Sequence, residues 1–188
     1  PGCWFRFQIA DVDFFMLDGR YYRGDPKGER ASMLGPAEKE WLLDELKHSD
    51  ATFKVLASPV PWVLEAKGES LDTWRGFQAE REEIFSFLEE ERVDGVILLS
   101  ADRHRSDAWR IDREKGYPLY EFESSRLTNV HRHALMPGAL FGYNEKCSFG
   151  VLSFDTTKDD PEVTYEIVTI DGERVRSFTV KRSGISNE

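Results

Sequence analysis

Cysteine is almost missing from this chain: of 188 residues only Cys3 and Cys147 carry a thiol. Two thiols cannot build a disulfide framework, and with no Cys-x-x-Cys pair there is no thiolate zinc site. A single bridge between them stays open, so the redox compartment is not fixed. Long apolar runs are missing too. Phe14 to Leu17 and Val96 to Leu99 are the longest, far short of the roughly 20 residues a membrane helix needs. Positive charge is in deficit, with 25 Lys and Arg against 35 Asp and Glu and a net charge of -10. That balance argues against wrapping duplex nucleic acid by phosphate neutralisation, while leaving room for a small basic pocket. There is no Gly-rich phosphate loop, no Gly-x-Ser-x-Gly, no internal repeat and no low-complexity stretch. Pro1 is preceded by no initiator Met, basic leader or apolar signal region, so the chain reads as processed or as a fragment.

What is present is a packed-protein composition: 40% hydrophobic and 13% aromatic residues in a chain long enough for one domain. The first half reads as α/β. Trp4–Ile9 and Val12–Leu17 predict two strands around a break at Ala10-Asp11, and Gly24–Glu29 is a polar loop. Gly35-Pro36 opens a helix that buries Trp41, Leu42 and Leu46. Thr52–Ser58 predicts a strand, 61–77 a loop and 78–92 a second helix with Ile84, Phe85, Phe87 and Leu88 inward. Gly95–Ser100 is apolar without alternation, the pattern of a strand covered on both faces. The second half predicts mostly antiparallel strands packed on the first: 107–113, 117–123, 148–155, 162–170 and 174–181, with Asp171-Gly172 as a hairpin turn.

The most informative stretch is Gly95–Arg105, where a buried strand runs out and Asp102 and His104 follow immediately. In covered parallel sheets ligands bind outside the carboxyl ends of strands. Residues two apart in extended chain point the same way, so this carboxylate and this imidazole can meet one metal centre. Carboxylate oxygen suits a hard cation such as calcium, and imidazole nitrogen suits iron or zinc. On the same alternation Arg103 and Arg105 point away unless the loop turns. Their forked donors would otherwise suit a substrate phosphate.

Several pieces in order make the chain resemble the carboxyl-terminal half of a PhoD-like phosphatase, a branch of the metallophosphoesterase superfamily. Ala10–Asp18 with Arg20, Tyr21, Tyr22 and Arg23 resembles that family's strand and Asp-x-Arg segment. Met33–Pro36 with Glu40–Leu42, Ser58–Trp62, and Asp72–Phe77 with Glu80-Arg81 are similar to its following segments. Ser100-Ala101-Asp102-Arg103-His104 is similar to its Ser-Gly-Asp-x-His metal motif, and Ser124–Asn129 and Ser148–Leu152 resemble late β segments. The resemblance implies a metallophosphatase-like layered β-sandwich flanked by helices, present here as a partial α/β domain over residues 1–182 with a tail at 183–188. It implies metal-dependent hydrolysis of small phosphate mono- or diesters, with calcium and iron as the metals and Asp102 and His104 as ligands. Asp18, Arg20 and Arg103 are then candidates for substrate binding. Family members are commonly exported.

The family's first metal motifs lie upstream of the region resembled, so the chain is expected to carry half of a metal site. Its unpaired sheet edges would then leave it prone to dimerise or aggregate. Ala101 stands where the motif has Gly, and Ala10 where the strand often has Gly. If that glycine serves a positive φ, Ala101 strains the loop. Two contrasting readings therefore stay open: a non-catalytic remnant or binding module, and an α/β domain in which Asp102 and His104 are structural. His131-x-His133 has a spacing that can share an ion, but it sits in a loop away from the Asp-x-His motif with no third ligand nearby in sequence. Trp62 and Trp74 are read as core, with a place on the pocket rim as the alternative, Asp18 and Arg20 as equally suited to an ion pair, and Glu80–Glu91 as a solvated helix face.

Overall fold

The computed structural model describes residues 2–128 and 130–187, so Asn129 of the segment compared above lies outside the described residues, as do Pro1 and Glu188. Among the described residues ten strands form two sheets. The larger has the order β1 (Phe5–Ile9), β2 (Val12–Met16), β3 (Phe53–Ala57), β4 (Val96–Ser100), β6 (Leu119–Ser124), β5 (Ser106–Ile111), β7 (Phe141–Tyr143). The smaller is an antiparallel meander of β8 (Ser148–Asp155), β9 (Glu162–Thr169) and β10 (Arg174–Lys181). In the larger sheet β2, β3, β4 and β6 run parallel. The second half therefore divides: β5, β6 and β7 extend the first sheet, and only β8–β10 make a separate one. The second-half strands pair antiparallel with one another, as expected, and the one parallel pairing they make is β6 with β4, which joins β5–β7 to the first sheet.

Alternation along the strands decides which face each side chain serves. Phe14 meets Phe154 of β8 edge-on, whereas its neighbour Phe15 meets Trp41 of α1 (Pro36–Lys47). On β6, Tyr120 and Phe122 pack against Phe178 and Tyr165 of the small sheet. Glu121 between them turns to the opposite side and takes hydrogen bonds from the backbone N–H groups of Trp62 and Val63 at 3.0 and 2.7 Å. Trp62 in turn stacks on Trp74 at 4.3 Å and lies against Phe85 of α2 (Gln78–Glu90). Both indoles are fully buried, so they are core residues. The β4 side chains Val96, Ile97 and Leu98 are inaccessible to solvent, as a central strand with covered faces requires.

Three short elements were not visible as patterns: β7, three residues long, the 3-10 turn Trp74–Phe77 that leads into α2, and the 3-10 turn Arg182–Ile185, which buries Ile185. At the open edge, β1 exposes Phe5, Phe7 and Ile9. Among the described residues no helix is long and apolar enough to cross a membrane.

Candidate functional site

Parallel β2, β3 and β4 end along one edge of the large sheet, and the chain leaving each of them enters a polar loop. The loop after β2 carries Asp18, Arg20 and Arg23; the long loop after β3 carries Lys67 and Asp72; the turn after β4 carries Asp102 and His104. Asp18 folds its own loop. Its Oδ1 accepts from the backbone N–H groups of Arg20 and Tyr21 at 3.2 and 3.1 Å. Its own N–H donates to Glu38 Oε1 at 2.7 Å, tying the loop to the start of α1. Burial raises the Glu38 carboxyl to about 7, against the backbone N–H groups of Asp18 and Gly19 that favour its charged form.

From there a continuous ion-pair chain crosses the edge. Arg20 Nη1 reaches Asp72 Oδ1 at 2.9 Å and Arg23 Nη1 reaches the same oxygen at 2.5 Å. Lys67 Nζ lies 3.5 Å from the other oxygen of Asp72 and 2.7 Å from Asp102 Oδ2. Partial burial works to raise the Asp72 carboxyl, but the Arg23 and Arg20 hydrogen bonds outweigh it and hold the group below the usual carboxylate range. Asp18 and Arg20 are thus not partners of one another through their side chains. Arg20 instead pairs with Asp72, a residue that spacing alone gave no reason to choose.

The turn after β4 is not extended, since Asp102 and His104 both have positive φ, yet burial still alternates along it. Asp102 and His104 are half-buried, while Arg103 and Arg105 are buried. Arg103 Nε and Arg105 Nη2 both donate to the carbonyl of Ala66 at 2.9 Å. That clamp fixes the backbone next to Lys67. Arg103 therefore sits beneath the loop with a hydrogen-bonded guanidinium, not on the open side where a substrate phosphate would meet it. Arg105 is fully buried between Asp107, which it ion-pairs, and Glu123 at 4.0 Å. Burial raises both carboxyls, Glu123 furthest, with Asp107 adding repulsion. Ser125 Oγ accepts from the backbone N–H groups of both Arg103 and His104, at 2.8 and 3.1 Å.

The backbone strain expected at Ala101 is not there. Positive φ falls instead on Asp102 at 73° and His104 at 46°, while Ala10, in the β1–β2 turn, has φ 49°. For non-glycine residues each such conformation costs about 1–2 kcal/mol, and it persists where surrounding contacts over-determine it, as functional turns often do.

His131 and His133 are not remote from the motif, as their place in the sequence suggested. The His104 and His133 rings stack at 4.8 Å with 7° between planes, and His131 stands edge-on to both, at 5.7 and 5.0 Å. One ligand nitrogen from each of the three lies within 4.8 Å of the others. Burial, helped by the nearby charge of Arg103, lowers the His133 pKa. Among the described residues Asp102 is not a member of this group.

Comparison with known proteins places these loops in a family. Residues 2–161 match the PhoD-like phosphatase family. The chain belongs to that family. Alkaline phosphatase D of Bacillus subtilis (strain 168) is 30% identical over 125 residues, covering 55% of this chain and 21% of that protein. The solved structure of PhoD aligns with a TM-score of 0.68 at 19% identity, over 97% of this chain and 45% of that one. GAP50, the anchor in the inner membrane complex of Plasmodium, aligns with a TM-score of 0.58 at 12% identity over 100% of this chain and 56% of its own. At those identities the structural likenesses concern fold. The chain spans roughly a fifth of the alkaline phosphatase and about half of each structural relative.

The donors fit the metals of a PhoD-like site unequally. His104 stands among other imidazoles, a suitable setting for iron or zinc. Asp102 offers carboxylate oxygen suited to calcium, yet its charge is already balanced by Lys67.

Proposed function

We propose that this PhoD-like chain contributes part of an active site that hydrolyses small phosphate mono- or diesters, at the carboxyl edge of β2, β3 and β4. The reading rests on one observation. Loops from three parallel strands converge there into a single chain of opposite charges, Arg20 and Arg23 to Asp72 to Lys67 to Asp102. Arg20, the most exposed of these cations, offers a phosphate a forked set of donors, with Arg23 beside it. Asp102 and His104 would hold metal. A bound cation supplies charge to polarise phosphoryl oxygens and to lower the pKa of a water. The residues described here orient the ester and neutralise its charge, which is most of what in-line displacement asks of a protein. The two sheets and two helices would be half of the layered sandwich of a complete domain.

A non-catalytic copy is the second reading, and the Lys67 ammonium favours it by standing against Asp102 where a metal would otherwise balance the carboxylate. Hydrolysis of p-nitrophenyl phosphate and bis(p-nitrophenyl) phosphate by the protein separates the two. Calcium- or iron-dependent turnover that falls at least a hundredfold in Asp102→Asn supports the enzyme. Turnover untouched by the substitution removes Asp102 from the site, and no turnover with any metal establishes the non-catalytic copy.

A further inference from the structure

Four histidines occur in the chain, and three of them meet. His48 alone lies elsewhere, at the end of α1, where its Nδ1 is 2.8 Å from the carbonyl of Asp44. The other three come from two segments that no local spacing joins: the turn after β4 and the irregular loop between β6 and β7. Both segments are anchored. Ser125, at the start of the loop, holds the Arg103 and His104 amides, and Asn144 Nδ2, beyond its end, donates to the His133 carbonyl at 2.7 Å.

We propose that His104, His131 and His133 form a binding site for a divalent first-row transition metal of the zinc type, held by three imidazole nitrogens. The donor set decides the class. Imidazole suits zinc, copper, nickel and iron, whereas calcium and magnesium take oxygen ligands. In a tetrahedral site with Zn–N of about 2.0–2.1 Å, ligand nitrogens stand roughly 3.4 Å apart. The nitrogens here lie within 4.8 Å of one another, so the rings must close by little more than an ångström, and side-chain rotation in half-buried and exposed positions accomplishes that. Three protein ligands leave a fourth position for water or a phosphate oxygen, the pattern of an open zinc site. The inference shares His104 with the hydrolytic reading and adds the nitrogens of His131 and His133, which that reading does not use.

Zinc alone is the probe, titrated calorimetrically into tag-free, chelator-stripped protein. Cobalt provides a second readout through the visible bands of a tetrahedral nitrogen site. One equivalent of zinc is expected to bind, unaffected by millimolar calcium. His131→Ala and His133→Ala should each weaken it at least tenfold and bleach the cobalt bands. His48→Ala should leave both readouts unchanged, and circular dichroism should show that the variants stay folded. His131 is exposed, so its truncation leaves the fold intact. The hydrolytic reading does not use His131 or His133, so zinc binding lost in their variants is read apart from turnover, and the two readings stay separable. Absence of stoichiometric binding, or binding indifferent to His131→Ala and His133→Ala, overturns the site.

Discussion

The carboxyl of Glu38 makes the fold's stability depend on pH in a direction opposite to that of most paired carboxylates. Its side chain is 1% exposed and holds the Asp18 loop through a 2.7 Å hydrogen bond, and burial moves its pKa from 4.5 to about 7. Between those values the folded protein keeps a proton that the unfolded chain has lost, so stability falls as pH rises through the window. Each unit is worth about 1.36 kcal/mol, and the full displacement corresponds to roughly 3 kcal/mol. Screening around an incompletely desolvated group reduces this to about 2 kcal/mol. Glu38→Gln keeps an acceptor for the Asp18 amide and removes the titration. Urea unfolding of both proteins at pH 5 and pH 8 measures the difference. The variant should gain about 2 kcal/mol on the wild type between the two conditions, a midpoint shift of about 1 M at a slope of about 2 kcal/mol/M. Parallel pH dependence in the two proteins would refute the argument.

Two further perturbations test other parts of the structure. Ala10→Gly, at φ 49°, should stabilise by about 0.5–1 kcal/mol, whereas Ala101→Gly should destabilise by about 0.4–1 kcal/mol because only chain entropy changes there; thermal unfolding checks both, and stabilisation by Ala101→Gly would show that the turn had been misread. At the β1 edge, Phe5 is 54% and Ile9 61% exposed, and Phe7 stacks on Phe14 beside a groove of about 340 Å³ lined by Val12, Leu152 and Phe154. Sedimentation velocity should find self-association at micromolar concentration that Phe5→Lys with Ile9→Lys abolishes, and a monodisperse wild-type monomer would contradict it.

The elements legible in the sequence are those whose signal is local. Uninterrupted Val96–Leu99 marks a central strand, Gly35-Pro36 starts α1, and Asp171-Gly172 turns a hairpin, each through chemistry confined to a few neighbours. Sheet membership was less legible, because nothing within β6 distinguishes pairing with β4 from pairing in the smaller sheet. The site divides in the same way. Asp102 and His104 stand out as a pair following a buried strand. Lys67 and Asp72 lie in a long loop, and their significance comes only from contacts to Asp102 and Arg20, 35 and 52 residues away in sequence. For His131 and His133 the spacing was a visible signal, but the third imidazole arrives through tertiary folding.

Arg103 and Arg105 explain how such distant loops are held in register. Burial alternates through this turn, with Arg103 and Arg105 inward and Asp102 and His104 half-exposed, and an inward guanidinium must find acceptors. Both find the Ala66 carbonyl, and Arg105 is further balanced by Asp107. The residue after Ala66 is Lys67, which reaches Asp102. The same turn that presents the acidic and imidazole groups thus also fastens the facing loop at the distance where its ammonium meets Asp102. Removing a buried partner of Arg105 would leave an uncompensated charge, a loss of about 3–5 kcal/mol, so the scaffold tolerates change at the exposed groups far better than beneath them. The alternating order Asp102, Arg103, His104, Arg105 is one local pattern with two consequences, a polar edge and a rigid support for it.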